Sequence, residues 1–246
     1  MTSAVVEATE LYRFFHAGDD EVMALRGVSL EASAGEFVAV VGPSGSGKTT
    51  LLACLAGLDD PDGGLVRVAG QVMSRRPERE RARLRATHLG VVLQSANLIE
   101  HLTLRGNLRQ AQRLAGHGSG PAIDRSDIDR SDRDRSDMDR SDIVGSDIDR
   151  LLTRVGLAGR AGAFPAQLSG GEAVRAGVAV ALVNRPLVLL GDEPTAEIDR
   201  ATETQLLELL RAEVSRGLAL VVATHSPAVA AAADRVITLA DGRVVA

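Results

Sequence analysis

The segment FVAVVGPSGSGKTT, residues 37 to 50, leaves this chain few folds to choose from. Phe37 to Val41 is a short apolar run of the kind that forms a strand buried on both faces, and KTTLLACLAGL from Lys48 onward reads as a helix that follows directly. Between them, closely spaced glycines let backbone N–H groups turn toward an anion, and the helix N-terminus adds its partial positive charge. Lys48 is the only lysine among the 28 Lys and Arg residues. A chain that uses arginine for every other positive charge keeps here a compact ammonium, which reaches between two phosphates where a planar guanidinium is wider. The pattern G-x-x-x-x-G-K-T between strand and helix predicts a phosphate-binding loop. Its candidate nucleotide contacts are Gly42, Pro43, Ser44, Gly45, Ser46, Gly47, Lys48, Thr49 and Thr50. Lys48 would reach the β- and γ-phosphates, and the Thr49 hydroxyl would ligate Mg²⁺; the loop alone leaves kinases, GTPases and motor ATPases open.

Four further motifs narrow the chemistry. LVLLGDE, residues 187 to 193, is an apolar strand ending in two carboxylates, placed where a parallel sheet presents catalytic groups at its carboxyl edge. Asp192 would hold the Mg²⁺ shell and Glu193 would polarise an attacking water. Upstream stands LSGGE, residues 168 to 172. His225 ends the apolar run LALVVATH, and Gln94 ends GVVLQ. Taken singly, Gln94 reads equally as a strand-end amide and His225 as a helix-cap histidine beside Ser226 and Pro227. Their order along the chain together with LSGGE and LGDE favours function, because context is what confirms a motif. Cys54 reads as a small packed hydrophobe. His16, His88, His101 and His117 have no metal-ligand spacing.

With these residues in this order the chain resembles the nucleotide-binding subunit of ABC transporters, over about residues 4 to 116 and 149 to 246. The resemblance implies an α/β fold: a P-loop NTPase core with a mostly parallel sheet, a small N-terminal antiparallel β-subdomain and an inserted helical signature subdomain. It implies that Ser169, Gly170 and Gly171 grip the γ-phosphate of an ATP held by an opposite subunit, so that the site is completed by dimerisation. It further makes Glu193 the catalytic carboxylate, His225 the switch histidine on the γ-phosphate, and Gln94 a link from Mg²⁺ and water to a membrane partner. Asp199, in TAEID, matches the segment that crosses the dimer interface, and Phe15 falls where the family sets an aromatic ring against adenine.

Within the family, AGDDEVMALRGVSL, LAGLDDPDGGLVRVAG and LQSANLIEHLTLRGNL are most similar to the small ATPases of lipoprotein release, macrolide export and bacterial cell division. The chain departs from the family pattern at several points. Phe15 stands for the common Tyr, which keeps the π-face and loses the hydroxyl. Glu172 replaces the frequent Gln, Ala173 and Val174 replace polar residues before Arg175, Val180 stands where Arg is frequent, and Leu93 and Ala96 replace aromatic residues beside Gln94. None of these removes a catalytic group.

Composition sets the remaining bounds. A length of 246 residues with 45% hydrophobic content suits a single ABC-type domain over residues 1–246, with a helical subdomain at about 98–181. One cysteine excludes an internal disulfide and fits a reducing compartment. MTSAVVEATE lacks the basic and apolar regions of a signal peptide, and no apolar run approaches the length of a membrane span. The chain is therefore expected on the cytoplasmic side, peripheral to the membrane, with a separate integral-membrane permease as partner and a second copy of itself as the other. No basic surface of nucleic-acid type is expected.

The coarse element reading puts a small antiparallel sheet at about Ala4 to Leu30 with Leu65 to Val68, and a helix over Thr202 to Val214. A hairpin is expected at Asp241-Gly242. The mixed-charge stretch Arg75 to Arg85 reads as a solvated helix face. Residues 124–148 form five tandem pentads, DRSDI, DRSDR, DRSDM, DRSDI and VGSDI. From Asp124 to Arg150, ten Asp and six Arg carry −4 of the net charge of −5. A period of five suits neither helix nor strand, which predicts a disordered insert between a helical segment ending near His117 and a helix beginning near Asp149. A pentapeptide-repeat coil would have too few turns to stabilise itself, and an Asp-rich calcium loop would lack its glycine and bidentate Glu.

The function expected from the sequence is an Mg²⁺-dependent ATPase that dimerises on MgATP to power a membrane permease. The alternative is an ATP-dependent recruitment or signalling module at the membrane. An ATPase acting on ribosomes or DNA would need a second nucleotide domain or a long coiled coil, and the sequence has neither.

Overall fold

A computed structural model describes residues 4–17, 20–93, 97–116 and 147–245. The strands are β1 (Ala4–Ala17), β2 (Asp20–Ser33), β3 (Phe37–Val41), β4 (Gly63–Val68), β5 (Gln71–Val72), β6 (Leu89–Val92), β7 (Val188–Asp192), β8 (Ala219–Thr224), β9 (Arg235–Ala240) and β10 (Arg243–Val244). The helices are α1 (Lys48–Leu55), α2 (Glu78–His88), α3 (Leu104–Leu114), α4 (147–154), α5 (Gly170–Leu182), α6 (Arg200–Val214) and α7 (Pro227–Ala232). The strands make two sheets. An antiparallel one runs β2-β1-β4-β5, and a second runs β10-β9-β3-β8-β7-β6. In the second sheet β9, β3, β8, β7 and β6 are all parallel, and β10 returns antiparallel from β9 through the expected turn at Asp241-Gly242. The expected fold class is the observed one.

Alternation along the central strands divides the apolar interior in two. Val38, Val40, Val188, Leu190, Ala219, Val221 and Ala223 point toward α1 and the antiparallel sheet, which contributes Val6, Leu11, Leu25, Val28 and Val66. Phe37, Leu189, Leu220 and Val222 point the other way, toward α3, α4, α5 and α6. Both faces are covered, which is why these strands are written as nearly continuous apolar runs. Every residue of β8 is buried.

Strand register then fixes where the chemistry sits. Val41 is paired with Thr224 and Asp192 with Ala223. Because the three strands are parallel, the residues that follow them, Gly42, Glu193 and His225, emerge together on one rim of the sheet.

Among the described residues between 98 and 181 the elements are α3, α4, α5 and two 3-10 turns, Ala158–Arg160 and Pro165–Gln167. Ile148, Leu151 and Leu152 of α4 are all buried, and so is Val155 directly after it. Their i, i+3, i+4, i+7 spacing makes one helical stripe. The helix therefore takes in Asp147 and Ile148, two residues earlier than the sequence suggested, because Ile148 belongs to that stripe. Asp147 pairs with Arg185 at 2.9 Å, and Asp149 pairs with Arg105. The rest of the pentad run, residues 124–146, lies outside the described residues, as does His117. The mixed-charge stretch forms α2, which buries only Leu84 and is laced by Arg85–Glu78 at 2.7 Å and Arg81–Glu78 at 3.0 Å. That is a solvated face.

Candidate functional site

The loop after β3 is shaped by what touches it. Gly47 has φ +103°, and a Cβ there would stand 2.5 Å from the Ala24 carbonyl oxygen. Only glycine meets both conditions. The turn of the β9–β10 hairpin supports the loop from another side, with Gly242 N–H donating to the Ser46 carbonyl at 3.1 Å. At its N-terminus α1 has no side-chain cap and no acidic residue in the first turn. Its first amides are thus left as donors toward the loop, a ready anion site. Lys48, 9% exposed, curls back so that Nζ donates to the carbonyl oxygens of Gly42 at 2.8 Å and Pro43 at 3.1 Å. Those two bonds hold the ammonium at the mouth of the loop.

Beside it stand the carboxylates of β7. Asp192 is buried, and burial pushes its pKa above the ordinary carboxylate value; repulsion from Glu193 adds to this, while the Thr49 hydroxyl and the Lys48 ammonium pull it back. Asp192 Oδ1 is a buried oxygen with no hydrogen-bond partner. An orphaned buried carboxylate oxygen next to a threonine hydroxyl is a donor set suited to a small hard cation. Thr49 and Asp192 therefore fit Mg²⁺.

Glu193 follows in a left-handed conformation at φ +49°. For a residue with a Cβ this costs about 1 to 3 kcal/mol and persists only where the surroundings enforce it. Here its N–H donates to the Ala223 carbonyl at 2.9 Å. Its carboxylate receives the Thr224 hydroxyl and the His225 N–H, each at 3.2 Å, and lies 2.9 Å from His225 Nδ1. The turn after β7 thereby sets the carboxylate against the end of β8. The side chain of His225 is 70% exposed, so the imidazole faces outward while its neighbour Ser226 caps α7. Ser226 Oγ also donates to Glu203 at 2.7 Å, tying this loop to the first turn of α6.

Phe15 reaches the same end of the molecule by register. It pairs with Val22, and two residues further along β2 Ala24 meets Gly47. The half-exposed ring lies under the Arg13 guanidinium, 4.8 Å from its centroid, and Arg13 is in turn held by Asp59 and Asp62. These two carboxylates, led by Asp59, push the Arg13 pKa upward. Gln94 lies outside the described residues. The strand that should have ended on it stops at Val92.

The signature residues form a second, separate group. Ser169 caps α5 and makes a reciprocal capping box with Glu172: Glu172 N–H donates to Ser169 Oγ at 3.3 Å, and Ser169 N–H donates to Glu172 Oε2 at 2.8 Å. Asp199 caps α6, accepting from the N–H groups of Ala201 and Thr202 and from the Thr202 hydroxyl, bonds that lower its pKa. Gly171 lies directly against Thr202. So Ser169, Gly170, Gly171 and Asp199 belong to one surface. Among the described residues no hydrogen bond or ion pair joins Ser169–Gly171 to the loop of Lys48. Each group is built, and the described residues do not join the two.

Sequence reasoning missed Arg13, Arg160, Thr202 and Glu203. The S-x-x-E of SGGE does signal a capping box, and the D-x-x-T of Asp199 to Thr202 signals a cap. Arg160 carries no local signal, since it meets Glu172 only through the fold. A groove of about 830 Å³ lies elsewhere, between α2, β6, α3 and α5, and holds none of the expected site residues. A cavity of about 50 Å³ does touch the site, with Thr49 and Asp192 in its otherwise apolar wall.

Comparison with known proteins places this arrangement. A family profile described as ABC transporter matches residues 25–196, from before the loop to just past Glu193. The macrolide export ATP-binding/permease protein MacB 1 of Yersinia pestis biovar Antiqua is 36% identical over 244 residues, covering 99% of this chain and 34% of that protein. The corresponding MacB of Escherichia coli K12 is 37% identical over 241 residues, covering 98% of this chain and 34% of its own length. The chain thus spans about a third of the length of these curated relatives. Among solved structures, the ATP-binding cassette MJ0796, a dimer in a post-hydrolysis state bound to ADP and Pi, superposes with a TM-score of 0.79 at 30% identity, covering 98% of this chain and 97% of that one. With the family profile spanning most of its length and relatives above 30% identity along nearly all of it, the chain belongs to the ABC transporter family.

Proposed function

We propose that this chain binds MgATP on its phosphate loop, pairs head to tail with a second copy, and hydrolyses ATP to drive a membrane permease from the cytoplasmic face. The observation that carries this reading is the division of the site: a phosphate loop with its carboxylates on one surface, a capped signature helix on another, and no bond between them among the described residues of one subunit. Two copies related by a two-fold axis would bring each half against the other's complement. The dimeric state of MJ0796 with ADP and Pi, and the pairing of ATP-binding and permease parts in the MacB relatives, support the same assignment.

In this reading Lys48 Nζ, already at the mouth of the loop, meets the β- and γ-phosphates, and the first amides of α1 add further donors. Thr49 and Asp192 would hold Mg²⁺, which when bound supplies charge neutralisation for the phosphate oxygens. Glu193, anchored by Thr224 and the His225 N–H, orients and polarises the attacking water. His225 can leave Glu193 for the γ-phosphate because its imidazole is held by one contact and is largely exposed. Phe15 stacks on the adenine. Closure of the second copy, bringing Ser169, Gly170 and Gly171, excludes bulk water from the phosphates.

Glu193→Gln tests the reading. It should retain MgATP binding, lose roughly 10²-fold or more in turnover as expected for a general base, and accumulate as a dimer on size exclusion. A chain that stays monomeric in saturating MgATP, and a variant that still turns over, each speak against the two-subunit site.

A further inference from the structure

Glu172 places a full negative charge in the first turn of the signature helix, three residues after the cap. A helix N-terminus contributes only about half a positive charge, so Glu172 alone would reverse the sign of the potential there. The capping box also occupies the amides of Ser169 and Glu172, leaving those of Gly170 and Gly171 as the first-turn donors. For a surface meant to receive a phosphate, the carboxylate is an obstacle.

Arg160 answers it. From the 3-10 turn ahead of the signature, its guanidinium meets Glu172 as a fork, Nε to Oε1 at 2.7 Å and Nη2 to Oε2 at 3.0 Å. The bidentate geometry fixes the carboxylate while it still accepts the Ser169 N–H. The pair is half-exposed at Arg160 and mostly covered at Glu172.

We propose that Arg160 is a positioning residue of the signature half-site: it cancels the charge of Glu172 and holds it in the capping box, so that Gly170 and Gly171 present a net positive surface to the triphosphate on the second copy. This rests on the two-subunit reading above. Arg160 need not touch the nucleotide. Its effect is electrostatic, and removal of the charge it cancels should make it dispensable.

The test is a charge-rescue cycle in the Glu193→Gln background, comparing Arg160→Gln, Glu172→Gln and the double variant with their parent for MgATP-driven dimerisation by light scattering. Arg160→Gln should weaken dimerisation at least about tenfold, since an uncancelled like charge at an interface costs a kcal/mol or more. Its melting temperature, and nucleotide binding by the dilute monomer through the phosphate loop, should stay near the parent's. Glu172→Gln, which keeps the capping geometry, should dimerise as readily as the parent, and the double variant should recover to within about threefold. Dimerisation of Arg160→Gln equal to the parent's, or a double variant no better than Arg160→Gln, overturns the proposal while leaving the two-subunit site standing. A parent that fails to dimerise in MgATP overturns both.

Discussion

Gly171 and Thr202 touch so closely that a Cβ on the glycine would lie 2.6 Å from Thr202 Cγ2. Gly170, one residue earlier, has nothing within 4 Å of the same position. Of the two glycines of the signature, only Gly171 is therefore required by a contact within the subunit. Gly171 lets the start of α5 pack on the start of α6 within one subunit, which joins the signature to the turn capped by Asp199.

Gly171→Ala should accordingly damage the isolated chain. Overpacking at a tight contact costs about 1 to 3 kcal/mol, only partly offset by the 0.5 to 1 kcal/mol that alanine gains over glycine in a helix. A drop in melting temperature of a few degrees is expected, at roughly 2 to 4 °C per kcal/mol for a chain of this size. Gly170→Ala should leave the melting temperature of the nucleotide-free chain unchanged or slightly raised and lose MgATP-dependent dimerisation. Equal melting temperatures for the two variants would refute the asymmetry.

Lys48→Arg conserves charge and should nonetheless abolish hydrolysis. The ammonium sits almost buried between the Gly42 and Pro43 carbonyls. A guanidinium is too broad for that place and prefers a fork-shaped partner. Turnover within about threefold of wild type, a difference of well under 1 kcal/mol in barrier, would remove the geometric explanation for the lone lysine.

Asp192→Asn should separate stability from function. Burial raises the Asp192 pKa, so its ionised form is the one the nucleotide-free fold disfavours, and the cost grows as pH rises through the folded pKa. The neutral isostere should raise the melting temperature of the nucleotide-free chain at pH 7, with the advantage shrinking as pH falls and Asp192 protonates. On the Mg²⁺ site proposed above, the same substitution takes away one ligand and should eliminate Mg²⁺-dependent turnover. A lower melting temperature at pH 7 would show that Asp192 is paired in solution.

What was legible in the sequence follows from how far apart the partners lie. Lys48, Thr49, Asp192 and Glu193 sit in contiguous strand-loop segments whose conformation is dictated by glycines and apolar runs, so residue type and place could be read together. The contacts that organise the signature surface were not legible in that way. Arg160 and Glu172 are 12 residues apart, and Ser226 and Glu203 are 23 apart. Nothing local distinguishes Arg160 or Glu203 from the many other arginines and glutamates on the surface. The left-handed backbone of Glu193 was hidden for a related reason, since it is enforced by the Ala223 carbonyl on a neighbouring strand. The helical state of Asp147 and Ile148 was missed because five-residue repetition masked a helical stripe that takes in Ile148 of the last pentad.

That boundary gives the last prediction. Ile148 is fully buried with Leu151, Leu152 and Val155, whereas Asp147 carries an ion pair to Arg185. Two deletions that differ by these two residues should behave differently. Removing residues 124–146 should change melting temperature and basal ATPase little, because shortening a connecting segment alters closure entropy by only about 0.6 kcal/mol per halving of length. Removing residues 124–148 also takes Ile148 from the core, a loss comparable to truncating a buried isoleucine, about 2 to 5 kcal/mol. The longer deletion should melt several degrees lower, and Ile148→Ala in the full chain should reproduce most of the difference. If both deletions melt together, Ile148 does not anchor α4, and the helix must begin after the repeat.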